Sequence, residues 1–479
     1  MREKGILKRF SHTLLLLAHF AAFLAAAGPF FVIMGQKYWP LLTISRTLAV
    51  TLLGFTMAYI FMSRIYGGFD IGKRKSKPII YSQVAALLFT DAVAYVFLSI
   101  MMTNETTENR LRLANVWLLL LSYTVQILVL IGLTYAFNDL YFRIHDPLNC
   151  LVVTRQDSDF MYFVREIRHF RKQFHLTQAV DYRHPELEEY IRANDIIFFY
   201  GLTPDERERG VLYAYRKKKD IYYSLNLSDI VALRGTPIYF SDKSMIASPE
   251  RYMSFEQRCI KRGGDLLLAS LALIILSPVF LLTALAIKLE DGGPVFYRQE
   301  RVTFGGRIFR VIKFRSMRAE DGEKHVSVSK DDDRITKVGR FIRKYRVDEI
   351  PQLINIIRSD MSIVGPRPEM VENVEKYTAE YPEFVYRERA KAGLTGMAQI
   401  YGKYNTSPKD KLMLDLSYIE HFSIWLDLKL MFRTVLVLFT PEESTEAFEE
   451  DQSGAAETAA ETYPDEDTEE NAAEEVRDE

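Results

Sequence analysis

Two adjacent carboxylates, Asp348 and Glu349, lie within a strongly basic stretch of this chain. Arg343 precedes them, and Arg367 follows them between two prolines. Paired carboxylates offer the oxygen ligands that a divalent cation prefers, and guanidinium groups bind diphosphates through charge-assisted hydrogen bonds. The stretch therefore predicts a site for a divalent cation and a bound diphosphate. An acidic turn paired with surface arginines is the structural alternative, and both interpretations stay open at this point.

The acid pair stands directly ahead of a predicted helix. Pro351 suits the first turn of a helix, where its missing N–H would have no partner. Apolar residues recur at helical spacing around it, at Ile350, Leu353, Ile354 and Ile357. We expect this stripe to dock the helix on a core. The two carboxylates would then lie at its N-terminus, where the helix dipole and free N–H groups favour anions.

The charge of the chain is divided between a basic body and an acidic end. The 479 residues have a net charge of −2, but residues 442–479 hold 17 Asp and Glu against one Arg. The first 441 residues are therefore net basic, at +14. A basic body indicates an anionic partner such as phosphate, a membrane surface or nucleic acid. The acidic end is rich in Ala, Glu and Thr, so we expect a disordered tail.

Length and cysteine content limit the possible classes of protein. A chain of 479 residues has room for about three domains of ~150 residues each. Its two cysteines, Cys150 and Cys259, make no disulfide framework, and no Cys/His cluster has zinc spacing. We therefore expect the parts outside lipid to face the cytosol.

Four segments in the first third of the chain are long and apolar enough to cross a bilayer, which takes ~20 residues. They are His12–Met34, Thr43–Met62, Ile80–Met102 and Val116–Phe137. Any one of them could be a buried core helix, but four in succession with short charged loops favour membrane spans. The apolar run of the first is too long for a cleaved signal peptide, and further spans follow it.

The distribution of Lys and Arg predicts the orientation of these spans. The N-terminus carries Arg2, Lys4, Lys8 and Arg9, and the second loop carries Arg64, Lys73, Arg74, Lys75 and Lys77. The other two loops carry only Lys37 and the pair Arg110 and Arg112. The N-terminus, the second loop and everything after the fourth span are therefore expected in the cytoplasm.

Residues 148–248 alternate short β-branched runs with helical patterns, which predicts a Rossmann-like α/β domain with a parallel sheet. The first predicted strand is followed by TRQDSD, without the glycines of a dinucleotide-binding turn. We therefore expect a scaffold or regulatory domain rather than a nucleotide site.

The apolar run Leu266–Ile287 could be a fifth span, but two features favour a re-entrant helix. Pro278 at its midpoint frees the carbonyl of Ile274, which Ser277 or a neighbouring segment must satisfy. Both flanks are also basic, which favours two cytoplasmic ends. We expect a helix that breaks at Ser277 and Pro278 and leaves the membrane on the side where it entered.

Aromatic and basic residues alternate in the segment that follows, and Lys313 and Arg315 are its candidates for phosphate contact. Such a pattern can serve nucleic acid, but beside a membrane helix a phosphate-facing interfacial surface is the better interpretation. A strand with snorkelling cations is the alternative. Residues 423–439 form an amphipathic pattern in which Trp425 suits the membrane interface.

Residues 253–439 closely resemble the bacterial sugar transferase family of monotopic phosphoglycosyl transferases, also called undecaprenyl-phosphate sugar phosphotransferases. The matching pieces follow in order: the Ser277–Pro278 break, KFRSM, DDRITKVGRFIRK, VDEIPQLINIIRSDMSIVGPRPE and AGLTGMAQI. With the preceding spans and α/β unit, the likeness extends to the larger subclass. It implies a transmembrane region at 1–140, a Rossmann-like domain at 141–250 and a mostly helical catalytic domain with its re-entrant helix at 251–441. The acidic tail at 442–479 falls outside the likeness and is predicted from its composition alone.

The resemblance implies roles for the residues that match the family's motifs. Asp348 would be the nucleophile, and Glu349 would hold Mg²⁺ together with it. The phosphates of the substrate would be bound by Arg343, Arg367, Lys313 and Arg315. Three positions depart from the family pattern: Arg346 stands where a small hydroxyl residue is usual, Thr303 replaces a glycine and Ala392 replaces a proline.

The implied activity is transfer of a sugar 1-phosphate from a UDP-sugar to polyprenyl (undecaprenyl) phosphate, through a covalent aspartyl-phosphosugar intermediate and with release of UMP. Such a phosphotransferase performs the first membrane step of exopolysaccharide, capsule or O-antigen assembly. It would be a multi-pass protein of the bacterial inner membrane with its catalytic domain in the cytoplasm. The implied partners are the UDP-sugar, polyprenyl phosphate and the lipid bilayer; a homodimer is compatible with the spans, and no nucleic acid is expected.

Two other classes of function are weighed against this enzyme. A membrane scaffold or sensor with a phosphate-binding, transferase-like domain is the alternative, but the intact acid pair and its flanking arginines argue against it. A channel or transporter finds little support, because the spans contain only two charged residues, Arg46 and Asp91. Asp91 is expected to make a packing contact.

Overall fold

The computed structural model describes residues 11–103, 113–155, 160–248, 253–318, 334–402 and 406–439. The basic N-terminal residues, Arg110 and Arg112, most of the turn after the first predicted strand and the acidic tail lie outside these ranges. The chain divides into two compact units, Met1–Pro249 and Glu250–Glu479.

The first unit opens with four long helices, as the hydropathy pattern predicts. They are α1 (Ser11–Lys37), α2 (Arg46–Tyr66), α3 (Ser76–Met101) and α4 (Val116–Ile144). All four are long and apolar enough to cross a membrane. Each observed helix extends beyond its predicted span at one end at least, because those ends include polar residues that hydropathy alone excludes.

Buried polar contacts join these helices. The Gln126 side chain donates hydrogen bonds to Asp91 Oδ1 at 3.1 Å and to the Ala26 carbonyl at 2.7 Å, which links α4 to α3 and α1. Thr134 donates to the Gln83 side chain at 2.8 Å. Asp91 is thus part of an interhelical contact, as expected.

A four-stranded parallel sheet follows the helices, with strand order β2-β1-β3-β4. Its strands are β1 (Leu148–Thr154), β2 (Phe174–Asp181), β3 (Ile196–Phe199) and β4 (Asp220–Tyr223). The intervening helices are α5 (Met161–Arg168), α6 (Leu187–Ala193), α7 (Pro204–Arg216) and α8 (Leu227–Arg234). The central strands β1 and β3 are buried on both faces, which explains their continuous apolar sequence. An antiparallel hairpin that the sequence did not predict completes the unit, formed by β5 (Thr236–Phe240) and β6 (Lys243–Ala247).

The second unit begins with two apolar helices, α9 (Phe255–Ile275) and α10 (Ser277–Asp291), which bend by 60° at the predicted break. Ser277 Oγ donates a hydrogen bond of 2.8 Å to the Ile274 carbonyl. This is the carbonyl that Pro278 was expected to free, and it takes the nearer of the two predicted partners.

The rest of the second unit is built from short elements around α9. Its strands are β7 (Phe296–Val302), β8 (Ile308–Phe314), β9 (Ser362–Val364) and β10 (Gly393–Thr395); β7 pairs with β8 and β9 with β10. Its helices are α11 (Lys337–Lys344), α12 (Gln352–Ile357), α13 (Val371–Glu380), α14 (Met397–Tyr401), α15 (Pro408–Glu420) and α16 (Ile424–Phe439), with 3₁₀ turns at Val347–Glu349 and Pro382–Arg389. The core includes Ala269 of α9, Val311 of β8, and Leu353 and Ile356 of α12.

Candidate active site

The acid pair lies on a 3₁₀ turn, Val347–Glu349, that leads through Pro351 into α12. The helix is only six residues long, and its most buried side chains include Leu353 and Ile356. The predicted stripe is therefore partly wrong, since Ile354 is only half-buried and Ile356 takes the core position. The difference arises because the 3₁₀ turn shifts the phase of the helix relative to an unbroken helical pattern.

Lys313 and Glu349 are brought together by the fold. The Lys313 ammonium lies 3.1 Å from Glu349 Oε1, with the two side chains 25% and 21% exposed. Burial would raise the pKa of Glu349, but the positive charges of Lys313, Arg367 and Arg346 outweigh it and hold that pKa well below its ordinary value. Glu349 is therefore an ionised carboxylate at neutral pH.

Asn355 fixes the strand that carries Lys313 against the helix that follows the acid pair. Its side chain accepts a hydrogen bond from the Ile312 N–H at 2.9 Å and donates one to the Arg310 carbonyl at 2.9 Å. Sequence reasoning missed this residue. A signal was present, because a polar residue interrupts the otherwise apolar stretch LINII.

Arg346 has a left-handed backbone conformation, with φ 54°. This region is costly for a residue with a Cβ, by ~1–2 kcal/mol. The strained residue turns the chain from α11 into the acid turn, and its positive charge acts on Glu349. The departure from the family pattern at this position thus adds a cation beside the acid pair.

Arg343 lies on α11, and both its side chain and the start of this helix are held by hydrogen bonds. Its Nε donates to Ser316 Oγ at 2.8 Å. The N-terminus of α11 is capped by the Glu290 carboxylate of α10, which accepts from the N–H groups of Lys337 and Val338 at 2.8 and 3.2 Å. Gly339 allows α11 to approach the backbone of Ser316 closely, because a Cβ at position 339 would lie 2.0 Å from the Ser316 carbonyl oxygen.

Arg367 is an exposed residue on the otherwise largely buried loop after β9, and its electrostatic influence reaches Glu349. Its backbone is anchored by Arg387, which donates a hydrogen bond of 2.7 Å to the Arg367 carbonyl. Arg387 is itself paired with Asp415 at 2.7 Å, and these side chains are 7% and 1% exposed. Sequence reasoning missed this buried pair, whose partners are distant in sequence.

Arg315 is not one of the side chains gathered around Glu349. Its guanidinium pairs with Asp291 at the end of α10 and packs against Gly293. Among the four residues expected to bind phosphate, Lys313 and Arg367 act directly on Glu349, whereas Arg343 and Arg315 are engaged by Ser316 and Asp291.

Three charged residues of α9 form hydrogen bonds with the two elements that follow the acid turn, α12 and β9. Arg262 donates to the carbonyls of Ile356 and Ile357 at the end of α12, at 2.7 and 2.9 Å. Asp265 accepts from the Ser362 hydroxyl at 2.7 Å, and Lys261 donates to the Val364 carbonyl at 3.1 Å. The sequence indicated these cations only as a basic flank of the apolar run.

The remaining two departures from the family pattern compensate each other. The Ala392 N–H donates to Thr303 Oγ1 at 3.1 Å, and Thr303 Oγ1 donates to the Asp360 carbonyl at 3.0 Å. A proline at position 392 would have no N–H to donate, and a glycine at position 303 would have no side chain to accept it. The two substitutions together create one hydrogen-bonded contact.

The described residues contain no group of three or more His, Cys, Asp and Glu side chains that could hold a metal ion. The two adjacent carboxylates nevertheless fit the common magnesium site, in which one or two carboxylates bind the ion and substrate phosphates complete its coordination. An ion held in this way depends on the bound substrate.

Residues 256–441 match the model of the family described as bacterial sugar transferase. The chain is 42% identical over 190 residues to a UDP-glucose:undecaprenyl-phosphate glucose-1-phosphate transferase of Caulobacter vibrioides, a match that covers 38% of this chain and 71% of that protein. It is 40% identical to the exopolysaccharide production protein ExoY of Sinorhizobium fredii, over 36% of this chain and 83% of that protein.

A longer relative is matched over a smaller share of its length. The UDP-N-acetylgalactosamine-undecaprenyl-phosphate N-acetylgalactosaminephosphotransferase of Aeromonas hydrophila is 43% identical, over 38% of this chain and 44% of that protein. All three matches cover less than two fifths of this chain, and the family match falls in the second unit, with the acid pair and its cations. On these grounds the chain belongs to the bacterial sugar transferase family.

Proposed function

We propose that the protein transfers a hexose 1-phosphate from a UDP-sugar to polyprenyl phosphate, as the first membrane step in assembling an exopolysaccharide, capsule or O-antigen. The observation that carries this proposal is the gathering of the positive charges of Lys313, Arg367 and Arg346 around Glu349, the second carboxylate of the acid pair. Such a site holds more positive charge than its two carboxylates balance, so it suits a bound diphosphate. The names of the matched relatives supply the class of donor and acceptor.

In the proposed reaction Asp348 acts as the nucleophile. One of its carboxylate oxygens attacks the sugar-bearing phosphorus of the UDP-sugar, and the bond from that phosphorus to the bridging oxygen breaks, so that UMP leaves. An oxygen of polyprenyl phosphate then attacks the same phosphorus and displaces the Asp348 carboxylate. The covalent intermediate thus divides one difficult transfer into two easier steps.

The cations of the site act on charge and position. Lys313 and Arg367 would bind the phosphate oxygens, offset their negative charge and hold the reacting phosphorus near Asp348. Arg343 and Arg315 would assist if their side chains left Ser316 and Asp291. When bound by Asp348, Glu349 and the substrate phosphates, Mg²⁺ would further offset the charge of the diphosphate.

The remaining parts of the chain would bring this chemistry to the inner membrane. The 60° bend at Ser277 supports a re-entrant helix with both ends in the cytoplasm, where the donor is found. The parallel sheet of the first unit supports a Rossmann-like scaffold or regulatory domain. The homodimer stays a prediction.

Purified full-length protein in lipid nanodiscs tests the proposal. We expect UMP release and a lipid-linked sugar with at least one UDP-sugar, loss of both with Asp348→Asn, and loss with EDTA that Mg²⁺ restores. The matched control is Asp360→Asn, which removes a carboxylate that pairs with exposed Arg307. Full turnover by Asp348→Asn would remove this residue from the nucleophile role. Absence of lipid-linked product with every UDP-sugar would favour the phosphate-binding scaffold instead.

A further inference from the structure

One edge of the parallel sheet in the first unit adjoins the long apolar helices. β1 begins at Leu148, four residues after α4 ends at Ile144. In a parallel sheet all strands start at one edge, and the connecting helices end there. The ends of α5 and α7 therefore lie at the edge where the chain leaves α4.

Exposed cations are concentrated at this edge. In α5 and the turn after it they are Arg165, Arg168, Arg171 and Lys172, and at the end of α7 they are Arg216, Lys217 and Lys218. Residues 165–172 contain a single acid, Glu166. The helix dipole favours cations in the last turn of a helix, but Arg171 and Lys172 follow α5 rather than end it.

The general preference for Lys and Arg beside membrane spans does not account for these cations either. That preference extends ~15–20 residues from the end of a span. Arg165 follows the end of α4 by 21 residues, and the cations of α7 follow it by many more. They belong to the α/β domain, and the fold of this domain brings them to one edge.

Two contacts place the end of α5 beside the helices. The Lys172 ammonium lies 5.8 Å from the centre of the Phe142 ring on α4, and the Gln173 side chain donates to the Gly72 carbonyl at 3.5 Å. Phe142 lies five residues, or ~7.5 Å of helix, beyond Phe137, the end of the predicted fourth span. The headgroup layer of a bilayer is ~5–8 Å thick. With α4 across the bilayer, Lys172 lies at the level of the headgroups.

The turn between α2 and α3 adds two cations at the same level. The Gly72 N–H donates to Asn138 Oδ1 at 3.0 Å, and the Asn138 side chain donates to the Arg74 carbonyl at 3.2 Å, which fixes the turn against α4. Lys73 and Lys75 of this turn are exposed. The cations of the two turns thus adjoin, although the turns are 101 residues apart in sequence.

The cations of these two turns are available to a ligand. In the described part of the chain, Lys73, Lys75, Arg168 and Arg171 form no ion pair with an acid. Phe170, between the two arginines, is 39% exposed. An aromatic side chain flanked by cations suits the interface between lipid and water.

We propose that residues 72–75 and 168–172, here called the basic edge, bind the headgroups of anionic phospholipids in the bilayer that α1–α4 cross. The unpaired cations, the exposed Phe170 and the headgroup level of Lys172 favour this occupant over the acidic residues 442–479 of the same chain. Each Lys or Arg near an anionic membrane surface strengthens attachment several-fold. The α/β domain would thus hold its sheet edge against the membrane, a role that is independent of the transfer reaction.

Fluorescence quenching in proteoliposomes of the full-length protein tests the proposal. Phe170→Cys, combined with Cys259→Ser, carries a bimane probe on the basic edge, and Pro185→Cys with the same serine carries it after β2, at the opposite edge of the sheet. The quenchers are phosphatidylglycerol and phosphatidylcholine with a nitroxide near the headgroup. At position 170 we expect half-quenching at an about fivefold lower mole fraction of phosphatidylglycerol than of phosphatidylcholine. At position 185 neither lipid should quench.

Removal of charge tests the cations themselves. Arg168→Gln with Arg171→Gln should raise the half-quenching fraction of phosphatidylglycerol to that of phosphatidylcholine. Salt at 1 M should do the same, because it screens charges beyond ~3 Å. The matched control is Arg183→Gln with Arg209→Gln, which removes equal charge from exposed positions outside the basic edge. The control should keep the wild-type lipid preference, and unfolding temperatures should show that both proteins are folded.

Three outcomes would overturn the proposal. One is equal quenching at position 170 by the two lipids, or no quenching at all. Another is a preference for phosphatidylglycerol that the folded Arg168→Gln, Arg171→Gln protein retains. The third is a set of carbodiimide cross-links between Lys73, Lys75 or Lys172 and carboxylates of residues 442–479 in phosphatidylglycerol bilayers, which would assign the basic edge to the acidic end of the chain.

Discussion

Arg387 donates a hydrogen bond of 2.7 Å to the backbone carbonyl of Arg367, and thereby ties the exposed phosphate-binding candidate to a buried ion pair. The same guanidinium is bound to Asp415, which is almost fully buried. The exposed side chain of Arg367 could adopt many conformations in solvent, but the hydrogen bond from Arg387 fixes its backbone. Arg387 is thus a positioning residue for the site.

A double-mutant cycle separates this positioning role from stability. Arg387→Met should destabilise the protein by ~3–5 kcal/mol, because it leaves the Asp415 carboxylate buried without its partner. Arg387→Met with Asp415→Leu should recover most of that loss in denaturant unfolding, yet keep a raised KM for the UDP-sugar, since the bond to Arg367 is still missing. Wild-type kcat/KM in the stable double variant would show that Arg387 is purely structural.

The same pair predicts a pH dependence. Burial raises the pKa of Asp415 to about 6, although the charge of Arg387 opposes the shift. Because this pKa lies above the ordinary 3.8, the stability that proton binding contributes is fully present below about pH 4 and is lost as pH rises through about 6. Activity should change in the opposite direction, since neutral Asp415 no longer forms an ion pair with Arg387.

Measurements of kcat/KM and of the unfolding temperature from pH 4.5 to 8 test the two opposite trends, that of activity and that of stability. The kcat/KM of the wild type should fall as the pH drops through about 6. The kcat/KM of Asp415→Asn should be lower than that of the wild type at neutral pH and should show no such fall. The stability advantage of the wild type over that variant should shrink as pH rises. An identical acid limb in both proteins would assign the limb to another group.

Lys313 is expected to bind a substrate phosphate in addition to forming its ion pair with Glu349. Lys313→Met removes the ammonium that faces Glu349, and we expect kcat/KM to fall about tenfold or more, because a charge-assisted phosphate contact is lost. Lys313→Arg should retain part of the activity. Arg310→Met is the control, since Arg310 lies on the same strand and pairs with exposed Glu300. Equal losses in Lys313→Met and Arg310→Met would argue against a specific role.

Thr303 should contribute measurably to stability. Thr303→Val keeps the shape of the side chain but leaves the Ala392 N–H and the Asp360 carbonyl without this partner, at a cost of ~1–3 kcal/mol. Thr303→Ser should restore most of that stability in the same unfolding measurement. If valine and serine give the same unfolding free energy, the hydroxyl contributes nothing to the fold.

The bent helix predicts that its two ends are accessible from the same side of the membrane. Exposed Cys259 reports on the start of α9, and Arg298→Cys, combined with Cys259→Ser, reports on the strand after α10. An impermeant maleimide should label neither position in intact spheroplasts and both in inverted vesicles. Labelling of the two positions from opposite sides would show that the helix crosses.

Local features of the fold were predictable from sequence, whereas the side-chain partners were not. The four long helices follow from hydropathy, and the bend follows from Ser277 and Pro278, because each signal is contained in one segment. The partners of Arg315 and Arg343 are side chains 24 and 27 residues away, and spacing alone gives no indication of them. Arg315 was predicted to contact phosphate because aromatic and basic residues alternate around it and because the family resemblance implies that role, but its guanidinium lies against Asp291.

The family motifs located the acid pair, but they did not show which groups hold it in place, whether those groups lie inside a motif, as Asn355 does, or outside every motif, as Arg387 and Asp415 do. Asn355 could have been noticed as a polar residue in an apolar helix. Arg387 and Asp415 could not, because each is an ordinary charged residue in a segment of mixed composition. Tertiary contacts alone reveal that the pair is buried.

The hydrogen bonds from α9 mean that the elements following the acid turn depend on this apolar helix. Lys261, Arg262 and Asp265 form hydrogen bonds with backbone groups of α12 and β9, so removal of α9 to obtain a soluble fragment would take these hydrogen bonds away from both elements. A tilt of α9 in a thinner or thicker bilayer would pull on the same backbone atoms. If α9 enters the bilayer as proposed, the thickness of the surrounding lipid would therefore influence the geometry of the proposed active site.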